Sequence, residues 1–73
     1  SPREIFIRAL EQKAVYIVIA HNHPGGDPTP GREDVDVTLQ IAEAGNMLGI
    51  HLIDHIIIGE AGFYSFKERG FID

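Results

Sequence analysis

Apolar positions recur along the chain in different rhythms, and each rhythm predicts an element. Ile5, Phe6, Ala9 and Leu10 are spaced at a period near 3.6, which predicts a helix from Pro2 to about Lys13 with that face turned inward. Ser1, Pro2 and Glu4 suit its start. Ser1 is placed to accept from the backbone of Glu4 in a capping box, and Pro2 loses nothing at the first helical position. From Val15 to Ala20 the apolar run is unbroken, β-branched and aromatic, the composition of a strand buried on both faces. Val35, Leu39, Ala42 and Met47 or Leu48 return to the helical period. They predict a second helix that starts between Thr29 and Gly31, ends near Leu48 and closes on Gly49 in the left-handed region. Ile50 to Ile58 reads as a second strand, Gly59 to Gly62 as a turn, and Phe63 to Phe66 as a short third strand.

Strand, long loop, helix and strand form a βαβ unit, so the first two strands should be parallel and joined by a right-handed crossover. The third returns antiparallel by a hairpin. In the order first, second, third, the first strand has a neighbour on one side only, although its composition asks for two, and an apolar edge left open invites association. The pattern therefore predicts an α/β fold with a mixed sheet whose N-terminal strands are missing from these residues. Residues 1–73 read as one partial domain that pairs through its open edge, as a homo-oligomer or with strands lent by an intact partner.

Composition narrows the classes of function. With 73 residues, 44% hydrophobic and 23% charged, the chain is a globular domain rather than a disordered segment. The absence of cysteine excludes disulfides, thiolate zinc sites and cysteine nucleophiles together. No apolar run approaches the roughly 20 residues of a membrane span, and Ser1 to Glu4 do not read as a leader, so the expectation is a cytoplasmic protein without a membrane partner. The net charge is -5 and the six basic residues are scattered, which makes direct nucleic-acid binding a poor expectation.

Chemistry concentrates where the first strand ends. In extended backbone residues i and i+2 point the same way, so His21 and His23 can aim their rings at one point. A loop stiffened by Pro24, Pro28 and Pro30, with turns at Gly25, Gly26 and Asp27, leads into a helix whose first turn holds Asp34. The crossover can swing that aspartate back over the strand end, which makes it the best third ligand. Two imidazoles and a carboxylate leave a fourth position open for water, whose pKa zinc lowers to about 7. Spacing alone leaves plainer readings open. A lone His-x-His is an ordinary loop feature, Asp34 suits the positive end of a helix, and Asp27 is a turn residue. His51, Asp54 and His55, in the second strand, read as structural or surface residues.

His21, His23 and Pro24, with Asp34 eleven residues after the second histidine, resemble the JAMM motif of the MPN and JAB metalloproteases. The wording from His21 to Asp34, then Ala44 and Gly45, Leu48 to Ile50 and Asp54 to Gly59, is similar to RadC-like proteins, bacterial members of that superfamily. The likeness runs from Pro2 to Gly70. It implies one zinc ion held by His21, His23 and Asp34 on a cytidine-deaminase-like αβα scaffold. It also implies hydrolysis of a peptide or isopeptide bond in a substrate that the sequence does not specify.

Two departures bear on activity. The family's general-base glutamate belongs to a strand earlier than Ser1, and Glu4 is no match for it. The family's serine three residues before the metal aspartate is Gly31 here, and its usual serine after His-Pro is Gly25. Losing one oxyanion donor costs about 10² to 10³ in rate. A zinc-dependent hydrolase impaired in this chain is the first reading. A non-catalytic JAB-like interaction module is the alternative, and a DNA-repair role attached to the RadC name a weaker third. His21, Asn22 and His23 are not an HNH nuclease motif, because those three residues lie far apart in sequence.

Overall fold

The computed structural model describes residues 1–73 as two helices and a three-stranded mixed sheet. In chain order the elements are α1 (Pro2–Glu11), β1 (Tyr16–Asn22), α2 (Arg32–Leu48), β2 (His51–Gly59) and β3 (Gly62–Ser65). The sheet order is β1, β2, β3; β1 runs parallel to β2 and β3 antiparallel to it, as the pattern predicts. No helix is long and apolar enough to cross a membrane.

The ends of the elements show what stops them. α1 closes at Glu11 rather than near Lys13, because Lys13 turns to a φ of 56° and its N–H bonds back to the Leu10 carbonyl. The expected Ser1 side-chain cap does not form; its carbonyl accepts from Ile5 N–H at 3.3 Å instead. β1 runs further than the apolar run suggests. It includes His21 and Asn22, which pair in register with Ile57 and Ile58. α2 begins after Gly31 and ends where Gly49, at φ 74°, takes the left-handed conformation its position predicts.

Both helices feed a single core. Phe6 and Ala9 of α1, Ile41 of α2 and Leu52 and Ile57 of β2 meet Ile50, Phe66 and Ile72 there. The inward face of α2 is only partly the expected one, since Val35 and Ala42 pack against the core but are not its most buried residues. Thr38, Ile41 and Gly45 are buried, while Leu39, Met47 and Leu48 are exposed. Gly45 lies on this face because a Cβ there would stand 2.2 Å from the Ile50 carbonyl oxygen, so the end of α2 can approach the start of β2 only without a side chain. In α1, Leu10 also stays exposed, since no element covers that side. β1 is not buried on both faces as predicted. Ile17 and Ile19 pack on the core, but Tyr16 and Val18 are 63% and 56% exposed, because the helices cover one side of the sheet only.

One irregularity matters for the site. Ile17 pairs with Leu52 but Val18 with Asp54, so Ile53 is an extra residue in β2. Alternation of sides along a strand would put Leu52 and His55 on opposite faces; the extra residue lets both be buried. His55 thereby points to the side where His21 lies.

Candidate metal centre

The end of β1 and the first turn of α2 bring His21, His23 and Asp34 together, with one ligand atom from each within 4.8 Å of the others. Nε2 of His21 is 3.7 Å from Oδ1 of Asp34, and Nε2 of His23 is 3.4 Å from Oδ2. All three side chains are half-buried. The two imidazole rings lie 4.9 Å apart.

Local structure aims each group. His23 N–H bonds the Ile58 carbonyl at 3.0 Å, which anchors the start of the loop to β2. The His23 ring nitrogen Nδ1 is 3.1 Å from the carbonyl oxygen of Asp27. A carbonyl only accepts, so Nδ1 carries a proton, and in the neutral ring the lone pair is then on Nε2, the nitrogen that faces Asp34. The Asp27 side chain closes the turn by accepting Thr29 N–H at 3.0 Å, and that bond holds its exposed carboxylate below the usual range. Gly31 N–H donates to Asp34 Oδ2 at 2.8 Å, half of a capping box, and fixes the carboxylate over the strand end. Gly59 lets the loop lie this close to the sheet, because a Cβ there would stand 2.0 Å from the Gly26 carbonyl oxygen.

These residues fit a zinc ion. Two imidazoles and one carboxylate are a donor set that zinc takes, and the Asp34 carboxylate faces both rings, with Oδ1 3.7 Å from His21 Nε2 and Oδ2 3.4 Å from His23 Nε2. Each histidine also has a hydrogen-bond partner at its other ring nitrogen, the arrangement that orients metal-binding imidazoles. A cleft beside the cluster is lined by Ile5, Ile19, Val37 and Ile41 together with His21, Asp34 and His55.

Two residues at the site were not legible as parts of it. His55 is 2.8 Å from His21 Nδ1 through its Nε2 and 2.6 Å from Thr38 Oγ1 through its Nδ1. The ring is stacked on Phe66 at 4.7 Å with planes 12° apart. Burial pushes its pKa down, and the neighbouring His21 adds to that effect. Position in β2 gave His55 a structural reading, and Thr38 carried no signal because a threonine in a helix is common. Asp54, by contrast, is structural as read. Its carboxylate takes the Ser65 hydroxyl and the backbone N–H groups of His55 and Lys67. His51 remains apart from the cluster, edge-on to Tyr16.

Known proteins resemble the chain over nearly its whole length. The family model described as "RadC-like JAB domain" matches residues 1–71. A UPF0758 protein of Clostridium beijerinckii is 59% identical over 71 residues, and one of Clostridium botulinum is 58% identical over the same length. In both, the match covers 97% of this chain and 31% of the relative. A UPF0758 protein of Caldanaerobacter subterraneus subsp. tengcongensis is 56% identical over 72 residues, or 99% of this chain. The chain thus spans 31% of the length of these relatives.

Proposed function

The chain belongs to the RadC-like JAB domain family, and from that premise we propose that it is the metal-holding part of a zinc-dependent hydrolase acting on peptide or isopeptide bonds. The observation that carries this reading is the convergence of His21, His23 and Asp34, with one ligand atom from each within 4.8 Å of the others. His21, His23 and Asp34 would hold the ion. Zinc, when bound, supplies a Lewis acid that polarises a carbonyl and lowers the pKa of water to about 7. The chain's own residues do the rest of the positioning. Gly31 N–H keeps the Asp34 carboxylate turned to the histidines, and the Asp27 carbonyl keeps the His23 lone pair on Nε2.

The general base is a glutamate supplied by the remaining length of the whole protein, on the further strands of a cytidine-deaminase-like αβα scaffold. Gly31 supports a slow rather than an absent reaction. Its φ of -77° and ψ of 169° are open to any residue, and a Cβ there would meet only Asp34 Oδ2 at 3.6 Å. A serine fits where the family carries one.

The test is a chimaera in which residues 1–71 replace the matching segment of the Clostridium beijerinckii relative, assayed on peptide and isopeptide substrates. Zinc-dependent turnover is expected, lost with His23→Ala and raised with Gly31→Ser by up to about 10² to 10³-fold. Turnover that ignores zinc and His23, or none while the parent relative is active, contradicts the reading.

A further inference from the structure

His55 is outside the ligand set, yet its ring joins one ligand to the helix that carries another. His55 Nε2 lies 2.8 Å from His21 Nδ1, His55 Nδ1 lies 2.6 Å from Thr38 Oγ1, and Thr38 Oγ1 lies 2.6 Å from the Asp34 carbonyl oxygen. The direction of every bond in this row follows from its last member. A carbonyl only accepts, so the single hydroxyl proton of Thr38 goes to Asp34 and leaves Oγ1 with lone pairs for His55. His55 must then donate from Nδ1, and a neutral ring that donates there can only accept at Nε2. His21 in turn donates from Nδ1. Its remaining lone pair is on Nε2, the nitrogen that faces Asp34 Oδ1 at 3.7 Å.

We propose that Thr38 and His55 form a directional hydrogen-bond relay that fixes His21 in the tautomer protonated on Nδ1, with its Nε2 lone pair turned to the metal position. His55 is thus a positioning residue for His21. The consequence for metal rests on the reading of His21 as a ligand; the tautomer itself does not.

Several features hold the relay in one state. Thr38 is fully buried and His55 is 4% exposed, so the row is shielded from solvent. Stacking on Phe66 fixes the plane of the His55 ring, and the extra residue Ile53 sets the side of the sheet from which it projects. Reversing the bond between Thr38 and His55 would draw the hydroxyl proton away from the Asp34 carbonyl and lose that bond. The two ligand histidines are therefore held by different means. A loop carbonyl fixes His23, whereas a buried side-chain row, ending on the backbone of the residue that supplies the carboxylate, fixes His21. Neutral imidazole in water prefers the opposite tautomer, which makes the expected state diagnostic.

Long-range ¹H–¹⁵N NMR of the metal-free 73-residue chain, at a pH well above the ordinary histidine pKa, reads the tautomer directly. His21 should show a protonated Nδ1 and an unprotonated Nε2. Thr38→Val keeps the side-chain shape but removes the hydroxyl; His21 should then become a mixture of tautomers. Zinc affinity should fall by about 10- to 100-fold, and Thr38→Ser should restore both. A purely packing role for Thr38 and His55 would leave the His21 tautomer unmoved. His21 protonated on Nε2 in the parent chain overturns the relay, and that measurement needs no variant to fold. An unchanged tautomer in folded Thr38→Val also overturns it. If the parent shows the expected tautomer but binds no zinc, the relay stands and the ligand reading falls.

Discussion

Histidine is a costly residue to bury, because its ordinary pKa of 6.5 lies close to neutral pH, and His55 is only 4% exposed. Burial lowers its pKa, and the charges of His21 and His23 lower it further. Asp34 and Asp54 oppose the shift without reversing it. The folded chain therefore binds fewer protons at this position than the unfolded chain does. Stability from this residue is fully present above 6.5 and is lost as pH falls towards the depressed folded value. Denaturant titrations at a series of pH values below 6.5 should show the unfolding free energy declining with acid, and less steeply in His55→Gln. Equal slopes in the two proteins would mean that burial of His55 has no linkage to folding. The residues easiest to read were those whose chemistry does not depend on packing. His21 and His23 stand out by their i, i+2 spacing, and Asp34 by its place at a helix start; the structure brings those three together. Thr38 was illegible because its role lies in one hydrogen bond to its own helix and one to a ring 17 residues away.

The elements were legible where a run of one residue character is long enough to define them. Strand order, the parallel and antiparallel pairings and the left-handed Gly49 all followed from pattern. The face of α2 followed only in part: Val35 and Ala42 pack on the core, but Thr38 and Gly45 are buried for hydrogen bonding and close approach rather than for apolarity. The bulge at Ile53 was likewise hidden, since an extra apolar residue in an apolar strand changes no pattern. At the other end of β2 the contact between Gly59 and the histidine loop leads to a prediction. Gly59→Ala would drive a methyl group into the Gly26 carbonyl oxygen and against Pro28. The loop should shift, at a cost of about 1–3 kcal/mol in stability and with weaker zinc binding. Thermal unfolding and zinc titration check both effects. Unchanged values for both would show that the loop is not held against the sheet.

At the scale of the whole molecule, a small core leaves much of the sheet open. Tyr16, Val18, Ile58 and Phe63 stay exposed, and β1 has a neighbour on one side only. An uncharged apolar strand with a free edge pairs readily. The 73-residue chain in solution should therefore have a mass above the 8.1 kDa of one copy and slow amide exchange at Tyr16 and Val18. Sedimentation equilibrium and hydrogen exchange test this, and a monomer with fast exchange along β1 would contradict it. The candidate metal centre also belongs to this scale, because the fold joins the end of β1 to the start of α2, and no single element contains it. Metal affinity therefore reports whether the assembled fold presents its three donors as proposed. The most direct measurement is zinc stoichiometry and affinity by calorimetric titration of the parent chain and of Asp34→Ala. One zinc ion per chain, with tight binding abolished in Asp34→Ala while the fold persists, is the predicted result. No binding by the parent, or full affinity in Asp34→Ala, would contradict it and leave Asp34 as a helix-start residue only.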